Sequence, residues 1–205
     1  MIQLIKELMS SGFLKTPEII EAFQKINRAD FVPEEIKEQA YLNVPLSIGF
    51  GQTISQPLTV AFMLELLQPK EGDKILDVGS GSGWQTALLA GVVGERGKIF
   101  AIEIIPELLT FGRKNVSQYS FTQKKIVEFY CLNAINGLLE EAPFDKIISA
   151  ASAEEIPPAW KEQLKIGGRM VVPIKDAVHL LIKKSESDFD EQIFPGFAFV
   201  PFVKK

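Results

Sequence analysis

The sequence predicts an α/β fold: a Rossmann-like body with a mainly parallel sheet covered on both faces, an antiparallel C-terminal edge and an N-terminal helical extension. Three observations carry that expectation. Apolar strand-like runs alternate with helix-like stretches from residue 57 to about 164, and such alternation implies parallel strands joined by crossover helices. One apolar strand, carrying an acid near its end, runs into three alternating glycines, Ile75-Leu-Asp-Val-Gly-Ser-Gly-Ser-Gly-Trp84, the kind of turn that opens a nucleotide pocket. Beyond residue 169, strand patterns follow one another with little helix between them, which suits an antiparallel edge.

Each element has a local reason. Residues 2–11 carry apolar positions at helical spacing, and Thr16-Pro17-Glu18 is an N-cap signature for a second helix running to about Asn27. A third short helix is expected after Phe31-Val-Pro33. Pro57 opens a helix through Leu67, since proline is tolerated in a first turn. Lys74–Val78 is the first strand and Gln85–Val93 the helix that follows it. Lys98–Ile102 is the second strand, ending at Glu103, and Pro106 opens another helix. Strands are expected at Lys125–Tyr130, Asp145–Ser149, Arg169–Pro173 and Val178–Lys183, with a helix at Pro158–Leu164 whose end Gly167-Gly168 marks. Phe194, Phe197, Phe199 and Phe202 alternate imperfectly and are expected in the core. The chain divides into an extension and loop over residues 1–56 and a Rossmann-like core over 57–205, packed as one compact unit. Roughly 200 residues suffice for one full core.

Composition narrows the function. With 22 basic and 26 acidic residues the net charge is −4, and no block of basic residues marks a nucleic-acid surface. No apolar run reaches membrane-spanning length, and Met1-Ile-Gln-Leu-Ile-Lys-Glu-Leu-Met9 is too short and too charged for a signal peptide. A cytosolic monomer with no membrane partner is expected. The single cysteine, Cys131, has apolar neighbours and is expected to be a buried thiol. The single histidine, His179, lies in a Val-His-Leu-Leu-Ile strand pattern, which leaves almost no material for a metal site or a histidine-based triad. No metal is expected.

Glycines at 79, 81 and 83 let the backbone turn sharply and approach a ligand closely. A dinucleotide fingerprint, GxGxxG, would place its third glycine at position 84, which Trp84 occupies. What remains is the GxGxG loop of class I methyltransferases, which bind S-adenosylmethionine and have no pyrophosphate to cradle. The bland alternative is a glycine-rich turn between a buried strand and a helix. Glu103, about 20 residues past the glycines, can accept both ribose hydroxyls of NAD or of S-adenosylmethionine, so Trp84 separates the two.

Upstream, Gly49-Phe-Gly-Gln-Thr-Ile-Ser-Gln-Pro57 is polar, glycine-spaced and set against a proline-started helix. Together with Arg28-Ala-Asp-Phe-Val-Pro33, Ala40-Tyr41, Asn43, Pro45, the GSGSGW loop, Ala142-Pro-Phe-Asp145, Gly167-Gly168, Val172-Pro173 and Phe199-Val-Pro-Phe202, it resembles the protein-L-isoaspartate O-methyltransferase family. Thr53-Ile-Ser-Gln-Pro57 is specific to that family, whereas the glycine loop belongs to many methyltransferases. The resemblance implies S-adenosylmethionine as cofactor, S-adenosylhomocysteine as product, and isoaspartyl-containing proteins and peptides as partners. It implies methylation of the α-carboxylate of L-isoaspartyl residues, after which the ester cyclises to a succinimide whose hydrolysis returns some normal aspartate.

Residue by residue, the resemblance makes Ser55 the active-site serine and places Tyr41, Thr53, Ile54, Ser55 and Gln56 against the substrate. Asp77, Gly79, Ser80, Gly81, Ser82, Glu103, Ile104, Asn133 and Ala134 fall at cofactor positions. One departure stands out: Leu132-Asn133-Ala134 replaces the usual Gly-Asp-Gly. Asn133 still offers a carbonyl oxygen to the adenine amino group, but loss of both glycines predicts weaker cofactor binding. No neighbouring base is evident for Ser55, so its expected role is to hold the acceptor carboxylate and not to attack as a nucleophile. A purely structural reading, Ser55 as cap of the helix begun at Pro57, also stands. Two other function classes stay open: a related peptide or small-molecule carboxylate O-methyltransferase, and a non-catalytic binding protein that has lost the cofactor.

Overall fold

The computed structural model describes residues 1–202. Helices α1 (Ile2–Ser10) and α2 (Pro17–Lys25) lead through 3-10 turns at Arg28–Phe31 and Glu34–Gln39 into a hairpin of β1 (Leu46–Gly49) and β2 (Gln52–Ile54). The body follows as α3 (Pro57–Leu67), β3 (Lys74–Val78), α4 (Trp84–Val93), β4 (Lys98–Glu103), α5 (Pro106–Ser117) and β5 (Val127–Cys131). It is completed by β6 (Phe144–Ser149), α6 (Pro158–Gln163), β7 (Leu164–Ile174), β8 (Ala177–Lys183) and β9 (Phe189–Pro195).

The large sheet has the order β5-β4-β3-β6-β7-β8-β9. Pairing is parallel from β5 to β7 and antiparallel for β7-β8-β9. Strand order therefore reverses at β3, whose neighbours are β4 on one side and β6 on the other. Crevices open beyond the C-terminal ends of strands at such a switch point. The glycine loop follows β3 there.

Helix α4 is buried nearly all round, which accounts for its uninterrupted apolar run Ala87–Val93. At its centre Gly91 lets α2 approach so closely that an added Cβ would stand 3.4 Å from that of Ala22. One continuous core thus runs from Leu4, Leu8 and Phe23 through Leu64 and Trp84 to Ile99 and Val171. Fully burying a leucine or phenylalanine contributes ~1.5–3 kcal/mol, so the N-terminal helices are bound to the body by several such side chains. Residues 203–205 of the expected core span lie outside the described residues.

Several expectations are corrected. Helix α2 stops at Lys25, and Asn27 instead caps the next 3-10 turn, its Oδ1 accepting the Ala29 N–H at 3.2 Å. The expected third helix is a 3-10 segment with no buried residue. Strand β5 starts at Val127 because Lys125 has φ +55°, outside the extended region. Helix α6 ends at Gln163 and β7 begins at once, so Gly167-Gly168 lies inside a strand. The pairing of β6 with β7 shifts register there, and a Cβ on Gly168 would meet the carbonyls of Lys165 and Asp145 at 2.7 and 2.9 Å. Cys131 ends the edge strand β5 and is exposed, not buried. The tail phenylalanines are half-buried, packed on the margin of the core and not within it.

Candidate active site

The glycine loop is built from below and from the side. Beneath it Asp77 is fully buried, its Oδ1 accepting from Gln85 Nε2 at 2.8 Å and its Oδ2 from Thr86 Oγ1 at 2.6 Å. Burial pushes this carboxyl up to about 6, against the pull of both hydrogen bonds. Asp77 therefore ties the first turn of α4 to β3 and forms no wall of the cavities described below. Beside the loop Glu103 is buried at the end of β4. Its Oε2 accepts the Gly81 N–H and its Oε1 the Ile105 N–H, each at 2.9 Å. An ionised carboxylate has about four acceptor sites, so capacity remains for further donors.

Above the loop lies a cleft with mainly apolar walls, as is usual for small-molecule sites. Gly79, Gly81, Glu103 and Ile104 form one side, and Leu132, Asn133 and Ala134 lie against it. The hairpin contributes Ile48, Gln52 and Thr53, and the tail contributes Val200–Phe202. Gly79 and Gly81 hold φ of +75° and +51°, and a Cβ on Gly81 would stand 3.4 Å from Ile48 Cδ1. The Asn133 Oδ1 accepts the Ile135 N–H at 3.0 Å, closing the 3-10 turn at Ala134–Asn136.

A smaller inner cavity continues from the cleft between Ile54 and Ser55 on one side and Ser80, Ser82 and Trp84 on the other. Ser80 is 6% exposed and Trp84 1%, yet Ser80 Oγ and Trp84 Nε1 have no hydrogen-bond partner among the described residues. The inner cavity opens in turn on a wide groove past Ser55 and Gln56, walled by Phe13, Phe62, Phe194, Phe197 and Phe199. Thr53 and Ala150 border all three spaces, so they form one trough.

Of the residues expected at the site, this trough brings together Thr53, Ile54, Ser55, Gln56, Gly79, Ser80, Gly81, Ser82, Glu103, Ile104, Asn133 and Ala134. Asp77 stands beneath it. Tyr41 stands aside from its walls, exposed, with its hydroxyl donating to Asn27 Oδ1 at 3.1 Å. Ile48 and Gln52 of the hairpin belong to the stretch that carries the family resemblance but were not expected as site residues, and Ala150-Ala151 after β6 carry no local signal at all.

The residues present fit an adenosyl cofactor. Two glycines at positive φ border a slot with apolar walls at Ile104, Leu108 and Leu132, and a buried carboxylate with acceptor capacity stands where a ribose would need one.

Comparison with known proteins agrees with this geometry. A family model described as protein-L-isoaspartate(D-aspartate) O-methyltransferase (PCMT) matches residues 1–205. The protein-L-isoaspartate O-methyltransferase of Methanopyrus kandleri is 38% identical, over 98% of this chain and 90% of its own. That of Fervidobacterium nodosum is 42% identical, over 90% of this chain and 92% of its own. A solved protein-L-isoaspartate O-methyltransferase superposes with a TM-score of 0.89 at 26% identity, covering 98% of this chain and 65% of that one. A candidate protein-L-isoaspartate O-methyltransferase from Plasmodium falciparum, solved with S-adenosyl-L-homocysteine, shares the fold at a TM-score of 0.89 and 23% identity, covering 99% and 98% of the two chains.

Proposed function

The chain belongs to the protein-L-isoaspartate O-methyltransferase family, and we propose that it methylates the α-carboxylate of L-isoaspartyl residues in damaged proteins and peptides, with Ser55 holding the acceptor. When bound, S-adenosylmethionine supplies a methyl group already activated on a sulfonium. The protein's task is therefore alignment and exclusion of water. A carboxylate acceptor is ionised at pH 7 and needs no base. Among the described residues Glu103 is the only ionisable side chain bordering the three connected spaces, and it stands in the cofactor cleft. Good alignment is worth roughly 7–11 kcal/mol in well-oriented intramolecular systems, enough to carry such a reaction without acid–base help.

The observation that carries this reading is the continuity of the trough. The cofactor cleft and the aromatic groove share Thr53, Ala150 and Val200, and Ser55, two positions from Thr53, borders the inner cavity and the groove, where donor and acceptor would have to face each other. Ser55 has no competing duty as a helix cap. The N-cap of α3 is Gln56, and the Leu58 N–H is taken by Asn43 Oδ1 at 3.0 Å. The groove beyond Ser55 carries phenylalanines and no ionisable group, which suits the apolar side chains flanking an isoaspartyl residue in an unfolded segment. Action as a cytosolic monomer without nucleic-acid partners, in keeping with the net charge of −4, belongs to the same proposal.

The test compares an isoaspartyl peptide with its normal aspartyl counterpart, in the wild type and in Ser55→Ala. Methyl transfer is expected on the isoaspartyl peptide alone, and Ser55→Ala should lower it roughly tenfold or more, as for one lost charge-assisted bond of ~1.5–3 kcal/mol. Affinity for S-adenosylhomocysteine should be nearly unchanged. Equal methylation of both peptides would point to a different carboxylate substrate. Absence of S-adenosylhomocysteine binding by calorimetry would point to a non-catalytic protein.

A further inference from the structure

Arg28 is fully buried, at 0% exposure, and no carboxylate pairs with it among the described residues. Burial alone pulls its pKa down to about 10, with no neighbouring acid to offset it. A buried cation without a counter-ion lowers stability, and a neutral side chain of similar volume would be easier to accommodate. Its hydrogen bonds show what it does instead. Nη1 donates to the carbonyls of Ala40 at 2.9 Å and Leu42 at 3.1 Å, and Nη2 to those of Val44 at 2.9 Å and Ser55 at 3.0 Å. Three of these acceptors lie in residues 40–45, a stretch belonging to neither helix nor strand before β1. The fourth is the carbonyl of the serine at the meeting point of the trough. The guanidinium also lies over the Trp84 ring, 5.2 Å from its centroid, and Trp84 lines the inner cavity together with Ser55.

Two residues that line the inner cavity, Ser55 and Trp84, thus rest on one side chain that borders none of the three spaces itself. Fixing the Ser55 carbonyl holds the peptide plane that begins at its Cα, and so restrains where the hydroxyl on that residue can stand. We propose that Arg28 is a positioning residue for methyl transfer, acting through the Ser55 carbonyl and the Trp84 ring to aim the Ser55 hydroxyl at the acceptor without touching either reactant. This rests on the reading of Ser55 as the group that holds the acceptor. The two terminal nitrogens of the guanidinium fork reach separate pairs of carbonyls, so lysine, with equal charge but its donors gathered on one atom, is the informative replacement.

The test places Arg28→Lys in the wild type and in Ser55→Ala, with isoaspartyl-peptide kinetics, S-adenosylhomocysteine calorimetry and amide hydrogen exchange on the full chain. In the wild type, kcat is expected to fall about tenfold or more, with cofactor affinity held within about threefold. In the Ser55→Ala background the same change should cost less than about twofold, because its route to the reaction is already gone. Amides of residues 40–44 and of Gln56 and Leu58 should exchange faster, and those of 79–84 should not. Equal losses in both backgrounds overturn the proposal, and so does unchanged exchange around Ser55. Should Ser55→Ala prove fully active, the serine reading falls by itself and the exchange data still decide whether Arg28 orders that segment. Where Arg28→Lys does not fold, Arg28→Gln, which removes the buried charge and keeps two donors, takes its place in each arm.

Discussion

Alanine at Gly83 and alanine at Gly81 should do different kinds of damage, because the alternating glycines serve different neighbours. Gly83 faces helix α5. With φ at +85°, it is in the left-handed region, which costs an L-residue ~1–2 kcal/mol. An added Cβ would also stand 2.8 Å from Val116 Cγ2 and 2.9 Å from the Gly112 carbonyl, and the latter is backbone that cannot swing aside. Overpacking of that kind costs ~1–3 kcal/mol, so the sum for Gly83→Ala is ~2–5 kcal/mol. Gly112 confirms how close this crossing is, since a Cβ on it would meet the Gly81 carbonyl at 2.6 Å.

Gly81 faces the cleft instead. Its φ of +51° carries the same ~1–2 kcal/mol, but its Cβ would find only Ile48 Cδ1, at 3.4 Å. The expected result is a clean division. Gly83→Ala should lose ~2–5 kcal/mol in urea denaturation at an unchanged m value while the folded fraction binds S-adenosylhomocysteine within about threefold of wild type. Gly81→Ala should lose only ~1–2 kcal/mol of stability and about tenfold or more in affinity, because its methyl enters the slot between loop and hairpin. A Gly83→Ala protein with the native midpoint, or a Gly81→Ala protein with native affinity, would refute this assignment of the loop.

Glu103→Ala should do more than weaken ribose binding: it removes the acceptor of the half-buried Gly81 and Ile105 N–H groups, at up to ~1 kcal/mol each, so thermal melting should fall together with affinity. A variant that melts normally would show that those bonds carry no weight. Asp77→Asn isolates a buried charge whose pKa rises from 3.8 in the unfolded chain to about 6 in the fold. Protonation favours the folded state here, so this group's contribution is complete below about pH 4 and is lost as pH rises through about 6. The asparagine variant should therefore gain up to ~3 kcal/mol over wild type at pH 7, the gain shrinking toward pH 4, as read by denaturation at several pH values. A gain that grew with acid would reverse the sign of the argument.

Much of the body was legible because its signals are local. Strands β3, β4 and β6 are apolar runs bounded by turns, and the helices opening at Pro57, Pro106 and Pro158 announce themselves by proline in the first turn. What escaped had no local signal. The hairpin strands β1 and β2 have four and three residues, and their turn at Gly49, Phe50 and Gly51 is left-handed throughout, so it reads as a polar loop. Strand β9 carries Asp190, Glu191 and Gln192 in the open, and its register is set by pairing with β8. Helix α6 passes into β7 without a break, so a glycine pair that resembles a helix stop is the site of a register shift.

At the site, the instructive contrast is between the two acids. Both sit at the ends of strands before a turn, and both were expected to meet the cofactor. Side chains alternate along a strand, so with Val78 bordering the cleft its neighbour Asp77 points to the other side and is taken up by Gln85 and Thr86. Glu103 ends the adjacent strand and turns back to the glycine loop. No count of residues past a glycine separates these roles; pairing of β3 with β4 in a fixed register does. The same holds at the acceptor end, where Ser55 is supported by an arginine 27 positions earlier and lines the inner cavity together with a tryptophan from another segment. A reaction whose donor and acceptor arrive already activated asks for few reactive side chains. Its evidence in a sequence is therefore the shape of a loop and the residues that hold it, and those supports become visible only when distant segments are folded together.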